Sequence, residues 1–144
     1  MVQLIECPRD AMQGIKSFIP TEKKVTYIQA LLGCGFHTLD FGSFVSPKAI
    51  PQMADTAKVL QQLQLDSTTS KLLAIVANVR GAQDACRFGA IDYLGYPFSI
   101  SENFQMRNTH KTIDQSVGVL NEILNIAAKN NKEVVTHISM GFGN

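Results

Sequence analysis

Apolar and polar positions along the chain fall into alternating patterns. The run "VQLIEC" (2–7) predicts a buried strand, which Pro8 stops. "TEKKVTYIQALLGCG" (21–35) reads as a helix: Thr21 is a candidate N-cap, Glu22 lies in the first turn, and Val25, Ile28, Leu31 and Leu32 share one face before Gly33 and Gly35 end it. "HTLDFGSF" (37–44) is a second strand and "PQMADTAKVLQQL" (51–63) a helix with Pro51 near its start. "KLLAIVANV" (71–79) is a third strand, too apolar to keep a wet face. "GAQDACRFG" (81–89) is a short helix, and "AIDYLGYPF" (90–98) a fourth strand. "TIDQSVGVLNEILNIAAKNNK" (112–132) is a long helix with Val117, Leu120, Ile123, Leu124 and Ala127 on one stripe, and "EVVTHISM" (133–140) is a fifth strand. "GFHTLDFG" and "GAIDYLG" echo one another, each opening on Gly and running into an apolar strand, as a repeated βα unit does.

Strands that alternate with helices through short links predict a parallel sheet. Two α/β architectures fit: an open five-stranded flavodoxin-like sheet, or the first half of a (β/α)8 TIM barrel, which typically needs about 250 residues. Chemistry in a parallel barrel collects at the C-terminal ends of the strands. Here those ends carry Arg9 and Asp10, Asp40 and Ser43, Asn78 and Arg80, Ser99 and Ser101, and Ser139. "CPRDAMQG" is no Gly-rich phosphate loop. The barrel half is therefore the expectation: five parallel strands with four intervening helices, residues 1–144 forming a single incomplete domain. An apolar fifth strand with an open edge invites pairing with another chain. The expected partner is a C-terminal half-barrel or a second copy of the chain, with a homo-oligomer as the assembly.

Composition narrows the function classes. The chain has 144 residues, 45% hydrophobic and 17% charged, which suits one well-buried globular domain rather than a disordered chain. A formal net charge of +1 without a basic run gives no footprint for nucleic acid or an anionic membrane. No apolar run approaches the roughly 20 residues that span a bilayer, and the start lacks a signal-peptide pattern. Cys7, Cys34 and Cys86 fit no CxxC or zinc spacing and read as small packed thiols, reduced in a cytoplasmic protein. His37, His110 and His137 form no HxH pair and read as packing or surface residues. Arg9–Asp10 would by default be a solvated turn pair, and Ser43, Asn78 and Ser101 have turn or N-cap duty open to them.

"PRDAMQG", "GSFVSPKAIPQMAD" and "SENFQMRN" together resemble the hydroxymethylglutaryl-CoA lyase family of the DRE-TIM metallolyases, over about the first half of a family member. The resemblance implies cleavage of 3-hydroxy-3-methylglutaryl-CoA, an acyl-CoA substrate, to acetyl-CoA and acetoacetate. It implies a divalent metal, Mg²⁺ or Mn²⁺, with Asp10 as a carboxylate ligand, as suits a hard cation. Arg9 would face the thioester carbonyl and meet the charge that grows there as the carbon–carbon bond breaks. Gln13 matches the family's Gln near the metal, and Asp40 stands where family members usually have Glu. Ser43, Asn78, Ser101, Glu102 and Asn108 fall on matching substrate-binding loop positions, and Lys48 on the loop Lys. Ala11 replaces the usual Gly, Gly14–Ile15 the usual Asn-Glu, and "VANVRG" the usual "TPNLKG". The family's HxH pair, an Asn ligand and a Cys-bearing loop would lie beyond residue 144, so the 144 residues alone are expected to be inactive. The alternatives are a Claisen-type synthase or aldolase of the same superfamily and a non-catalytic, self-associating half-barrel.

Overall fold

The fold is taken from a computed structural model, which describes residues 2–143. The chain forms two compact units, 1–74 and 75–144. Unit 1 contains β1 (Ile5–Glu6), α1 (Pro8–Gln13), α2 (Thr21–Leu32), β2 (Thr38–Ser43), a 3-10 turn (Pro51–Met53), α3 (Thr56–Gln62) and most of β3 (Lys71–Ile75). Unit 2 contains α4 (Val79–Cys86), β4 (Tyr93–Ser99), α5 (Glu102–Thr109), α6 (Ile113–Lys129) and β5 (Glu133–Ser139). The five parallel strands follow sequence order, β1-β2-β3-β4-β5, the α/β topology of the first half of a (β/α)8 barrel. Among the described residues six helices, rather than the four expected, connect them.

In unit 1 every residue of β2 is buried, and its Leu39 and Phe41 belong to the same apolar core as Ile28 and Leu32 of α2 and Val59 and Leu60 of α3. In unit 2, Leu94 and Tyr96 of β4 are buried with Ala82, Ala85, Ile123 and Ala127 of α4 and α6. The register Tyr93–Ser99 against Glu133–Ser139 pairs β4 with β5 along their whole length.

Several elements differ from expectation for identifiable reasons. The first strand shrinks to two residues, and Val2 and Leu4 are 86% and 63% exposed rather than buried. It lies first in the strand order and pairs on one side only. Pro8, with its missing N–H and fixed φ, suits the first helical position, so "PRDAMQ" is helical rather than a turn. Pro20, not Thr21, is the N-cap of α2. Residues 51–63 split into a 3-10 turn and α3, because Thr56 Oγ1 donates to the Met53 carbonyl (2.8 Å) and accepts from the Ser43 N–H (3.1 Å). That contact requires Gly42: a Cβ there would lie 2.5 Å from Thr56 Cγ2. The segment "ENFQMRNT", expected as loop, is α5, capped by Ser101; the residue it buries is Gln105, so no apolar period marks it. His110 closes that helix with φ 55. On α6, Ile123 and Ala127 are buried, but Val117 and Leu124 are 42% and 44% exposed. Cys7 and Cys34 are exposed and Cys86 half-buried, so the expectation of three packed thiols fails for two of them.

Each unit also buries a network of long polar side chains away from the strand-end carboxylate Asp40. In unit 1, Lys24 is 2% exposed; its Nζ lies 2.6 Å from Asp55 Oδ1, donates to the Gln52 carbonyl and sits 4.1 Å from the Phe18 ring centroid. Gln52 in turn accepts from the Ile19 N–H (2.8 Å) and donates to the Ile15 and Ser17 carbonyls (2.9 and 3.0 Å). In unit 2, Gln105 accepts from the Ser99 N–H (2.9 Å) and donates to Ser116 Oγ (2.6 Å), while the Tyr96 hydroxyl donates to the Ser116 carbonyl (3.3 Å). Burial pushes the Tyr96 phenol up, partly offset by that bond. Removing one partner of a buried ion pair leaves the other uncompensated, so Lys24→Ala should lower the unfolding free energy by about 3–5 kcal/mol. Gln105→Ala, which strands a buried N–H, should cost about 1–3 kcal/mol. Urea denaturation checks both, and unchanged midpoints would refute these roles.

Candidate functional site

The polar cluster of unit 1 forms where α1 begins directly after β1 and crosses the buried strand β2. Asp40 is 1% exposed, and a carboxylate at that depth needs a cation. Arg9 supplies it: Nη2 lies 2.6 Å from Asp40 Oδ2, and Nε lies 3.2 and 3.1 Å from Oδ1 and Oδ2. Nη1 donates to Asp10 Oδ1 and to Gln13 Oε1, both at 3.0 Å. Gln13 Nε2 closes the ring by donating to Asp10 Oδ1 at 2.9 Å. The i, i+4 spacing of Arg9 and Gln13 on α1 places them on one helix face.

This arrangement has chemical consequences. A guanidinium carries five N–H donors. Four are engaged here, and one Nη2 hydrogen has no partner among the described residues. Burial opposes the charge on Arg9, but the hydrogen bonds and charge of Asp40 outweigh it and hold the guanidinium above its ordinary value. Arg9 is thus a fixed cation with one free donor. Asp10 differs: its side chain is 64% exposed, and its Oδ2 accepts no hydrogen bond from the described residues. That oxygen suits a hard divalent cation as a single ligand. The described residues contain no group of three or more His, Cys, Asp or Glu that could enclose a metal.

Of the residues singled out from sequence, Arg9, Asp10, Gln13 and Asp40 come together in this cluster. Ser43, also in unit 1, is 2% exposed, and its Oγ accepts from the Val45 N–H (3.2 Å). Lys48 is exposed on the following loop, where its N–H donates to Ser46 Oγ (3.3 Å). In unit 2, Asn78 caps α4 by accepting from the Gly81 N–H (2.9 Å) and Ser101 caps α5 by accepting from the Phe104 N–H (3.5 Å). Glu102 Oε2 accepts from the Ile113 N–H (3.1 Å), and Asn108 is exposed on α5. The capping duties left open by the sequence are therefore filled at Asn78 and Ser101. One neighbour escaped sequence reading: Cys7, the residue before α1. Burial pushes its thiol up, Asp40 pushes it further, and Arg9 pulls it down. Only its adjacency to "PRD" could have signalled this.

No family model matches the chain. Curated relatives do. The hydroxymethylglutaryl-CoA lyase of Arabidopsis thaliana mitochondria is 36% identical over 81% of this chain and 25% of its own length. The cytoplasmic 3-hydroxy-3-methylglutaryl-CoA lyase of Rattus norvegicus is 30% identical over 99% of this chain and 41% of its own. Among solved structures, the HMG-CoA lyase of Bacillus subtilis superposes with a TM-score of 0.93 at 31% identity, over 99% of this chain and 48% of that one. The Acinetobacter baumannii HMG-CoA lyase in complex with coenzyme A and 3-methylmalate gives 0.90 at 28% identity, over 99% and 46%. The chain spans less than half the length of these relatives. No helix among the described residues is long and apolar enough to cross a membrane.

The exposed Cys7 thiol reports on the cluster. Because the negative charge of Asp40 raises it more than that of Asp10 does, Asp40→Asn should shift the pH profile of Cys7 alkylation to lower pH, and Asp10→Asn should shift it less. Mass-spectrometric alkylation rates across pH 7–10 test this. An unmoved profile in Asp40→Asn would contradict the geometry.

Proposed function

Since the chain is homologous to hydroxymethylglutaryl-CoA lyases in sequence and in fold across nearly its whole length, we propose that it supplies part of the active site of a metal-dependent lyase. The reaction is cleavage of 3-hydroxy-3-methylglutaryl-CoA to acetyl-CoA and acetoacetate. The observation that carries this reading is the Arg9 guanidinium, clamped by buried Asp40 and left with one free Nη2 donor beside the exposed Asp10 carboxylate.

In this reading the free Arg9 N–H points to the thioester oxygen of the substrate. As the carbon–carbon bond breaks, its electron pair moves toward the carbon next to that carbonyl, and negative charge grows on the oxygen. A cation already fixed by Asp40 stabilises that charge without reorganising at the moment of reaction. Asp40 is thus a positioning residue for Arg9, and its short side chain, where Glu is usual, draws the guanidinium close to β2. Gln13 holds Asp10 and Arg9 in register. Asp10 would ligate Mg²⁺ or Mn²⁺ when bound, and the cation would supply Lewis acidity that eases loss of the substrate hydroxyl proton. Ser43, Asn78, Ser101, Glu102 and Asn108 are the proposed substrate-side positions. Three thiols in no disulfide suit a reducing compartment, and a cytoplasmic location belongs to this reading.

One carboxylate oxygen is a weak metal site, and the 144 residues alone should not turn over. Purified chain with Mg²⁺ or Mn²⁺ should release no acetoacetate from the substrate; steady release would overturn the reading of an incomplete site. Mn²⁺ should nonetheless broaden amide NMR signals around Asp10 at about millimolar concentrations, and Asp10→Asn should abolish the effect. Broadening centred elsewhere would remove Asp10 as the ligand.

A further inference from the structure

We infer that Gln52 is a positioning residue for Arg9: it clamps the chain just beyond α1 and so fixes the direction of the free guanidinium N–H, an inference that rests on the lyase reading above. Gln52 and Asp55 belong to the stretch "PQMAD" (51–55), which that reading leaves without a role.

The need for a clamp follows from α1 itself. A helix of six residues, Pro8–Gln13, is too short to hold its own shape. Its start is secured, because Pro8 is buried and Arg9 is paired with buried Asp40. Its end carries Gln13, whose Oε1 accepts from Arg9 Nη1 and whose Nε2 donates to Asp10. Asp40 thus holds one edge of the guanidinium and Gln13 another, and the orientation of its plane depends on both. The next residue is Gly14, with nothing within 4 Å of where a Cβ would stand. A glycine in open space lets the chain swing, and a swing there would carry Gln13 away from Arg9 and Asp10.

Gln52 meets that need with its whole side chain. It is 4% exposed, and its three hydrogen bonds all reach one segment 33 to 37 residues away. Nε2 donates to the Ile15 carbonyl (2.9 Å) and the Ser17 carbonyl (3.0 Å), and Oε1 accepts from the Ile19 N–H (2.8 Å). The clamp therefore closes on the residue next to Gly14 and on two beyond it. Gln52 is itself held. The Lys24 ammonium donates to its carbonyl and pairs with Asp55 at 2.6 Å, and Asp55 also accepts from Thr21 Oγ1 at 2.8 Å. Two residues of α2 thus anchor the Pro51 turn, the turn anchors residues 15–19, and that segment anchors the end of α1. A donor aligned beforehand meets growing negative charge without reorganising.

The ¹⁵N–¹H signals of Arg9 Nε and of the Gln13 side-chain amide read this link directly. Gln52→Met keeps the volume and removes all three bonds, and it should shift both signals in the folded chain. Gln52→Glu keeps the acceptor for Ile19 and loses both donors. It should shift them less, and it gives the same reading if the Met variant does not fold. Ser70→Ala removes another buried bond, to the Phe36 carbonyl (2.6 Å) ahead of β2 and β3, and should leave both signals in place. Gly14 has φ −84 and ψ −7, which alanine adopts without strain. Gly14→Ala therefore stiffens the link, and added to Gln52→Met it should return the Arg9 signal toward its original position. A purely structural role would lower the urea midpoint of the Gln52 variants and leave the Arg9 signal unmoved. That result, a Ser70→Ala shift as large as that of Gln52→Met, or no return in the double variant would overturn the inference. Mn²⁺ titration separates it from the reading beneath it. Broadening centred away from Asp10, with Arg9 still tracking Gln52, removes the lyase site and keeps the link. Broadening at Asp10, with Arg9 indifferent to Gln52, removes the link alone.

Discussion

A carboxylate 1% exposed in the middle of a fully buried strand is the constraint around which unit 1 is arranged. Asp40 lies among residues of β2 that otherwise favour an apolar core, and solvation lost there is returned only by a charge at contact distance. Arg9 is that charge, and it can arrive only because α1 starts at Pro8, immediately after β1. The short helix then determines the rest: its next residue is Asp10, and one turn further is Gln13, so a single buried ion pair orders two other polar groups. Energetically this is a costly way to hold a strand and a helix together. Chemically it yields a cation that does not move and a carboxylate that faces solvent, two opposite environments one residue apart.

The two buried polar networks extend the same logic to the loops that follow the strands. Lys24, Asp55 and Gln52 tie the segment after α1 to the Pro51 turn. Gln105 ties the end of β4 to α5 and the start of α6. Loops with few apolar contacts would otherwise sample many conformations, and satisfied buried hydrogen bonds restrict them to one. Both networks use long polar side chains buried to within a few per cent of full coverage, and both lie beside strand ends.

Periodic apolar burial made β2, β3, β4, α4 and α6 legible in the sequence, since each turns hydrophobic side chains toward a core. Where burial is polar, that signal vanishes. The helix α5 buries Gln105, and Lys24 is the most deeply buried residue of its turn of α2, so hydropathy alone reads both as surface. The first strand failed in the other direction: "VQLIEC" is apolar but largely exposed, because a strand that pairs on one side leaves its residues uncovered. For the site, the residue types at the strand ends were readable, as was the resemblance that gathers them. The Arg9–Asp40 clamp was not, since it joins residues 31 positions apart and depends on the helical path of "PRDAMQ". Asn78 and Ser101 were readable as caps from their place before helices, and they serve as caps.

The sequential strand order also bears on how such a chain is made. β1 pairs with β2 and β4 with β5, each the next strand in sequence, and each unit closes around neighbours separated by a few tens of residues. Contacts of short sequence separation form early and need little chain to be present. Unit 1 can therefore gather its core, including the Arg9–Asp40 and Lys24–Asp55 pairs, while later residues are still being synthesised. A domain assembled in that vectorial way buries its charged pairs before an apolar edge such as β5 emerges from the ribosome.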